Sequence, residues 1–350
     1  MEASRKQNRI QWLDAVRGFA LLAIVYGHAS RDVGVISQAV YSFHVVLCIL
    51  ITGWLWHCPH SLGEHLKKTG RRLLIPYVFW SLVSMGIYLL LGNIAAGALG
   101  AEIYGLRENL LFMAKGLSLG NAPLWYLPFA FVSLLFLYFY SRAAEKIRED
   151  RKWKKGIILI FPAVFSFLTL SIYQKYHFRL AFLNLPFGIP NACFLFAFLW
   201  LGVLMGKYGH LPKGKKWILP ALLLIVISIG SALKWNDEVE YMAFDYSNYG
   251  RNLPVFYGTA AVTSLGICWL TSNLPRMGLL SWFGRNAMAI LVMHKFPVLF
   301  FQILLGDLGE KMGHFRFLLF LAVSLLSSAL CCWAGAFLRR FLPFTLGEGK

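Results

Sequence analysis

A charge pair and a histidine lie on one apolar stretch near the N-terminus. The stretch runs from Trp12 to His28 and contains Asp14 and Arg17, which are three residues apart and can pair on one helix face. His28 follows Arg17 by eleven residues, which is about 16 Å along a helix. Ionisable groups are costly inside a bilayer, so they are functional candidates in a membrane helix. A neutral imidazole suits general-base chemistry near neutral pH.

Two further histidines, His44 and His294, lie within apolar runs. The predicted topology places both at a depth similar to that of His28, on three different helices. A single buried histidine often serves only as a hydrogen bond between helices, but three at one depth favour a catalytic site. Four residues at the outer starts of predicted helices join this layer as candidate substrate-binding residues: Trp125, Tyr126, Arg251 and Asn252.

Composition predicts an all-α, polytopic membrane protein. Of the 350 residues, 58% are hydrophobic and only 14% are charged, whereas a soluble domain carries about 25% charged residues. No polar stretch is long enough for a separate soluble domain, so residues 1–350 are predicted to form a single integral-membrane domain. Apolar runs predict ten transmembrane helices, at 12–30, 38–57, 73–92, 123–141, 156–173, 187–206, 217–233, 253–271, 286–305 and 316–338.

The distribution of lysine and arginine predicts the orientation of these helices. With the N-terminus in the cytoplasm, 23 of the 34 basic residues fall in cytoplasmic segments and 10 fall outside, as the positive-inside rule requires. Both termini are therefore predicted to be cytoplasmic, in the cell (inner or plasma) membrane. The net charge of +18 does not indicate a nucleic-acid partner, because the cations are spread over loops and form no patch with interleaved aromatics.

A second constellation, of basic residues, precedes the third predicted helix. Its cations are Lys67, Lys68, Arg71 and Arg72. Such a cluster can hold phosphate groups, arginine by bidentate contact and lysine as a point charge. The alternative is contact with anionic lipid, worth about 1 kcal/mol per cation. Asp14 and Arg17 lie at the same membrane face and are either part of this site or a structural pair.

Two other kinds of site find no support in the sequence. His57, Cys58, His60 and His65 are metal-ligand residue types, but they lack the paired spacing of a zinc site, so no metal is predicted. A serine nucleophile is not expected either, because the chain contains no Gly-x-Ser-x-Gly segment.

The order of five motifs resembles that of the acyltransferase-3 family of integral-membrane O-acyltransferases. The motifs are Leu13-Asp14-x-x-Arg17-Gly18 with Gly27-His28, Phe43-His44 with Thr52-Gly53, Arg72-Leu-Leu-Ile-Pro-Tyr77, Leu124-Trp125-Tyr126-Leu127, and Gly284-Arg285-Asn286 with His294. The second motif is similar to the branch of the fucose 4-O-acetylases. Val46 and Lys295 stand where the family often has proline, and Ala287 stands in place of serine.

The resemblance implies a membrane O-acyltransferase. Its donor would be acetyl-CoA from the cytoplasm, held by Asp14, Arg17, Lys68, Arg71 and Arg72. The acceptor would be a hydroxyl of a sugar, a cell-surface glycan or a lipid-linked saccharide. His28, with His44 and His294, would activate that hydroxyl as general base or carry the acyl group. The expected partners are this acceptor and membrane lipids, and a homo-oligomer is compatible with the sequence.

Two other classes of protein explain parts of the pattern. A proton-coupled transporter or flippase for a small polar or saccharide substrate would use intramembrane histidines as proton relays. Transporters often show inverted halves, and the two halves of this chain do not match convincingly. A non-catalytic scaffold for polymer assembly would leave His28 without a role.

Overall fold

The computed structural model describes residues 10–30, 34–99, 104–147, 152–176, 185–236, 239–240, 248–306 and 308–349. Most of them are helical. The helices are α1 (Gln11–Ala29), α2 (Val35–Tyr41), α3 (His44–Trp54), α4 (Leu62–Thr69), α5 (Ile75–Leu99), α6 (Leu106–Ala114), α7 (Tyr126–Ile147), α8 (Lys152–Tyr176), α9 (Ile189–Phe194), α10 (Phe196–Tyr208), α11 (Ile218–Trp235), α12 (Leu253–Asn273), α13 (Gly278–Arg285), α14 (Ala287–Met293), α15 (Lys295–Leu305), α16 (Leu308–Lys311) and α17 (Arg316–Phe341). A π-helical turn, Gly70–Leu74, joins α4 to α5. Two short strands, β1 (Val239–Glu240) and β2 (Asn248–Tyr249), pair antiparallel.

Seven helical segments of the described chain are long and apolar enough to cross a membrane. They are Val35–Trp54, Leu62–Leu91, Ala122–Lys146, Gly156–Tyr176, Lys215–Trp235, Leu253–Asn273 and Gly313–Phe341. The bent pair α14–α15 makes an eighth if it is counted as one span. The prediction of an all-α, polytopic membrane protein is therefore confirmed.

The predicted count of ten differs from this number for local reasons. The first predicted span, 12–30, corresponds to α1, whose 19 residues include Asp14 and Arg17. The span predicted at 187–206 is divided at Leu195 into α9 and the short α10. The count of ten and the orientation of the termini stay predictions.

Helix α1 lies at the centre of the bundle and is buried along most of its length. The helices that pack against it are α2, α3, α12, α13, α14, α15 and α17. Because the elements of both candidate sites surround one helix, α1 fixes their relative positions.

Glycines allow α1 and α13 to cross at very short range. A Cβ built on Gly18 would lie 1.9 Å from the carbonyl oxygen of Leu280, and one built on Gly284 would lie 1.8 Å from that of Asp14. Small residues at a crossing let helix backbones approach in a bilayer. The glycines of the first and last sequence motifs are thus packing partners, and the two motifs meet in space.

We expect alanine at Gly18 or Gly284 to destabilise the protein. The added methyl would force α1 and α13 apart, and overpacking of this kind costs about 1–3 kcal/mol or more. The measurement is thermal unfolding of the purified protein in detergent. Gly86→Ala in α5 and Gly258→Ala in α12 are matched controls, since a Cβ meets nothing within 4 Å at either position. Equal melting temperatures for all four variants would contradict the role of the crossing.

The chain between α5 and α7 folds into the bundle along α5. The backbone N–H of Tyr104 donates to the Tyr88 hydroxyl, and the Tyr77 hydroxyl donates to the carbonyls of Met113 and Leu117. Tyr88 and Tyr77 are eleven residues apart on α5, which is about 16 Å along its axis. The chain from Tyr104 through α6 therefore runs beside α5 over this distance. Residues 104–121 therefore run back along α5, and we call them the re-entrant segment.

Helix α14 bends by 51° into α15 at His294. Pro297 explains the break, because proline lacks the N–H that would bond the Met293 carbonyl and its ring collides with that carbonyl. In the bent region the Val292 carbonyl accepts a hydrogen bond of 2.8 Å from the Asn121 side chain. Broken helices in membranes need such partners for their freed backbone groups.

Candidate functional site

The structure brings the three predicted histidines to one end of the bundle. The rings of His28 and His294 are stacked, with centroids 5.4 Å apart and an interplanar angle of 29°. His44, the first residue of α3, lies within electrostatic range of His28, as does Lys295. We call His28, His44 and His294 the histidine cluster. His294 is fully buried, whereas His28 is partly accessible and can meet a substrate.

Hydrogen bonds fix the rings of His44 and His294 but leave one edge of His294 open. His44 Nδ1 lies 2.9 Å from the Val40 carbonyl, and His294 Nδ1 lies 2.7 Å from the Ile290 carbonyl. A carbonyl only accepts, so Nδ1 carries a hydrogen in both rings. His294 Nε2 is buried and has no hydrogen-bond partner among the residues that the structure describes. The cluster therefore presents a polar atom whose bonding capacity is unused, which is uncommon in a structural core.

Asn121 connects the re-entrant segment to the helix that carries His294. Its side-chain amide donates to the Val292 carbonyl at 2.8 Å and to the Ser84 hydroxyl at 3.3 Å, and the residue is completely buried. Within the described part of the chain, its Oδ1 accepts no hydrogen bond. Because Val292 is two residues from His294, Asn121 is a positioning residue for the histidine cluster.

We expect Asn121→Ala to reduce both stability and activity. The Val292 carbonyl would be left without its donor, at a cost of about 1–3 kcal/mol, and the bend at His294 would relax. The measurements are melting temperature and turnover number. Asn109→Ala is the matched control, because Asn109 donates only to the local carbonyls of Tyr104 and Gly105. It should lower stability without lowering turnover; equal activity losses in both variants would argue against a positioning role.

Arg17 of α1 and Arg72 of the π-helical turn lie away from the histidine cluster, toward the start of α1. Arg17 Nη1 lies 4.0 Å from Asp14 Oδ1, so the charge pair expected from the sequence is present. Arg72, in the π-helical turn, is within electrostatic range of Arg17. Two guanidinium groups near each other are suited to bind one phosphate group. We call Arg17 and Arg72 the arginine pair.

The arginine pair and the histidine cluster are linked by one face of α1. Arg17 and His28 are eleven residues apart, which places them about 20° apart around the axis at 3.6 residues per turn. On α3, His44 lies near His28, and Cys48, one turn further, lies near Arg17. The facing sides of α1 and α3, which pack on each other, therefore run from the arginines to the histidines. We call this interface the inter-helix path.

Tyr126 lies beside this path. It is within electrostatic range of Arg17 and Cys48, and its hydroxyl is within hydrogen-bonding reach of Thr52. It is the first residue of α7 and follows the 3₁₀ turn Ala122–Trp125. The sequence analysis grouped Tyr126 with the outer histidine layer, but the structure brings it to the arginine end of the path. Its role in substrate binding stays a prediction.

The other predicted donor residues have different surroundings. Lys68 lies near His65, which stacks on Tyr138 with ring centroids 5.3 Å apart. Arg71 and Arg72 are exposed on the π-helical turn, and a side chain at Gly347 would collide with the Arg72 carbonyl. The C-terminal residues therefore pack under this turn. Trp80 Nε1 anchors them through a 2.9 Å bond to the Thr345 carbonyl.

The remaining candidate acceptor residues are held by local structure. Trp125 packs on Phe129, with ring centroids 5.1 Å apart. Asn252 caps α12: its Oδ1 accepts from the Val255 N–H at 3.2 Å. Arg251 next to it is exposed. A substrate role for these three residues stays a prediction, and the cap already uses the Asn252 oxygen.

Several residues of the site were missed by the sequence analysis. Asn121 falls in a segment predicted to be a loop, so nothing marked it as a helix partner. Pro297 was a readable signal for the bend at His294, only two residues after Lys295. Arg339 donates through Nη1 to Asn286 Oδ1 and through Nε to Glu348 at 2.8 Å. This contact fixes the asparagine of the last motif and depends on a distant helix.

No group of three or more His, Cys, Asp or Glu side chains in the described ranges lies close enough to hold a metal ion. His57, Cys58, His60 and His65 therefore do not form a metal-binding set. The His65 ring instead packs between Tyr138 and Trp56.

The fold and the site define a helical, polytopic membrane protein with ionisable clusters at both ends of a central helix. Residues 10–336 match the family model of the acyltransferase-3 type, which is described as an acyltransferase domain. This chain belongs to that family and is a membrane acyltransferase. No curated protein and no solved structure matches the chain. The resemblance to the branch of the fucose 4-O-acetylases stays a prediction.

Proposed function

We propose that this protein transfers an acetyl group from cytoplasmic acetyl-CoA to a hydroxyl of a saccharide. The acceptor would be a cell-surface glycan or a lipid-linked saccharide at the outer face of the cell membrane. The observation that carries the proposal is the shared face of α1, with Arg17 at one end and His28 at the other. A cation site for phosphates and a base for a hydroxyl are thereby aligned across the membrane.

The arginine pair supplies the donor site of this proposal. CoA carries several phosphate groups, and guanidinium groups bind phosphate through two parallel hydrogen bonds. Arg17 and Arg72 are within electrostatic range of each other, so one phosphate group would interact favourably with both. Arg71 and Lys68 extend the positive surface outward, and Asp14 orients Arg17 through the 4.0 Å pair.

The inter-helix path connects this donor site to the base. The arginine pair and His28 are separated by about 16 Å along α1, and the pantetheine arm of the donor would lie between α1 and α3. Cys48, Thr52 and Tyr126 would flank the arm near the arginines. The thioester would then reach His28 from the cytoplasmic side, while the acceptor hydroxyl approaches from the other side.

The chemistry at His28 is a direct transfer in this proposal. His28 takes the proton of the acceptor hydroxyl as its oxygen attacks the thioester carbonyl carbon. The tetrahedral intermediate collapses with cleavage of the C–S bond, and the thiolate of CoA takes up the proton held by the imidazolium. An ester and free CoA result. His294, stacked on His28 at 5.4 Å, and His44 keep the ring oriented.

The proposal is tested with purified protein reconstituted in lipid vesicles. Acetyl-CoA and a mixture of saccharides with free hydroxyls are supplied on opposite sides, and thiol release and ester formation are both measured. We expect thiol release that depends on the acceptor. Uptake of a saccharide without any thiol release would instead identify a transporter and overturn the proposal.

A further inference from the structure

A cavity of about 420 Å³ opens at the end of the bundle that carries the histidine cluster. It lies between the end of α1, the start of α2 and the start of α17. Tyr26 and Phe320 line it, with their rings edge to face at 6.4 Å between centroids. Tyr26 is buried and lies two residues from His28 on α1. Because residues two apart on a helix point about 200° apart around its axis, the cavity and the His28 side chain lie on opposite sides of α1, both within its last turn.

The cavity carries a cation without a counter-charge in the described part of the chain. Arg316 lines the cavity, is exposed, and acts electrostatically on the Tyr26 hydroxyl. No carboxylate of the described residues forms an ion pair with it. His314 lines the same cavity. A guanidinium, an imidazole and a phenol hydroxyl together supply the donors that a phosphate requires.

Backbone geometry keeps this site open for the guanidinium. Gly34 lines the cavity with a φ of 101°, which L side chains rarely adopt. A Cβ at Gly34 would lie 3.3 Å from Arg316 Nη2. Glycine at this position thus leaves the space in which the guanidinium can meet a ligand.

The rim of the cavity is apolar and exposed. The exposed fractions are 66% for Val35, 45% for Ile36, 65% for Phe315 and 39% for Phe317. In a membrane protein such a rim faces lipid chains or the membrane interface. A free sugar phosphate gains nothing from it, whereas an amphiphile with a phosphate head buries its apolar chain there.

We propose that this cavity binds the phosphate of a lipid-linked saccharide, which is the acceptor of the reaction. The phosphate would pair with Arg316, and the lipid chain would lie along Phe317 and Ile36. The saccharide attached to the phosphate would reach over the end of α1 to His28. This inference rests on the proposed function, because it names the chemical class of the acceptor.

Binding is measured with the full-length protein in phosphatidylcholine nanodiscs. The probe is glucose linked through a phosphodiester to dodecanol, and dodecyl glucoside is the neutral counterpart. We expect the phosphodiester to bind at least tenfold more tightly than the glucoside. R316A should weaken its binding about tenfold or more, and R316K should lie in between, because lysine lacks the bidentate contact. K311A, which removes an exposed cation of the adjoining α16, is the matched control and should bind as the wild type does.

Three results would overturn the proposal. Equal binding of the phosphodiester to wild type and R316A would show that the cation is not used. Equal affinity for dodecyl glucoside would show that the phosphate does not contribute to binding. Displacement of the probe by an equal concentration of phosphatidylglycerol would identify an ordinary lipid site.

Turnover measurements distinguish a failure of this proposal from a failure of the proposed function on which it rests. In protein that cleaves acetyl-CoA, R316A should raise KM for the phosphodiester about tenfold or more and leave KM for acetyl-CoA unchanged. An unchanged KM for the phosphodiester would contradict the acceptor site. Protein that cleaves no acetyl-CoA would refute the proposed function, while the binding data still decide whether the cavity holds a lipid phosphate.

Discussion

Replacing His28 by alanine is expected to lower acetyl transfer by a factor of about 10²–10⁴, the usual contribution of a general base. Binding of acetyl-CoA should persist, because the arginine pair lies at the other end of the inter-helix path. The two readouts are thiol release under saturating substrate and equilibrium binding of a labelled CoA compound. The expected result is therefore a loss of turnover with the donor affinity preserved.

The control for this variant is the same substitution at an exposed histidine outside the histidine cluster. His57 lies on the exposed connection between α3 and α4, where its Nδ1 contacts only the Leu55 carbonyl. His57→Ala should leave turnover unchanged. If His28→Ala retained more than about a tenth of the wild-type rate, the proton transfer assigned to His28 would have to occur elsewhere.

Arg72→Ala is expected to weaken acetyl-CoA binding by about 10- to 100-fold. A charge-assisted hydrogen bond contributes about 1.5–3 kcal/mol, and each 1.4 kcal/mol corresponds to a factor of about ten. The effect should appear in KM and in equilibrium binding, with turnover at saturation largely kept. Arg17→Ala should show the same loss of affinity, together with a loss of stability, because the buried Asp14 carboxylate loses its ion pair with Arg17.

Lys68→Ala is the matched comparison for Arg72→Ala. Both residues are exposed cations of one basic segment, but Lys68 is near His65 and Arg72 is near Arg17. If phosphate binding depends on the arginine pair, Arg72→Ala should weaken binding more than Lys68→Ala. Equal and small losses of affinity would mean that the segment only attracts anionic lipid, and the donor site would have to be sought elsewhere.

The class of fold could be predicted because membrane helices leave a strong signal in composition. Apolar runs and basic loops identify a polytopic helical protein without any knowledge of packing. The count of spans was harder to predict, since a run of apolar residues does not show where a helix breaks. The division at Leu195 depends on tertiary contacts: the hydroxyls of Ser166 and Tyr257 donate to the carbonyls of Cys193 and Phe194.

The candidate site was predictable where its residues share a helix. Spacing alone predicts the pairing of Asp14 with Arg17 and puts His28 about 16 Å further along the same helix, and the structure shows this pair on α1. Residues that join the site from other helices were harder to predict from the sequence. The positions of Tyr126 and Asn121 follow from the re-entrant segment, which depends on hydrogen bonds between residues far apart in sequence, such as that of Tyr77 with Leu117.

The contact between the two glycines of the helix crossing could not be predicted from the sequence either. Gly18 and Gly284 belong to motifs at opposite ends of the chain, and neither motif by itself indicates a partner. Only the crossing of α1 and α13 explains why both positions lack a side chain. Motif residues near the charged groups therefore serve packing as well as chemistry. A loss of activity caused by a substitution at these positions must be compared with the loss of stability that accompanies it.

The central claim is that one face of α1 carries the donor at Arg17 and the reaction at His28. Its most direct test is an experimental structure of the protein with a non-hydrolysable thioether analogue of acetyl-CoA. The account predicts phosphates in contact with Arg17 and Arg72, the pantetheine arm between α1 and α3, and the thioether next to His28. An analogue bound with its phosphates away from both arginines, or with its thioether outside the histidine cluster, would contradict the account.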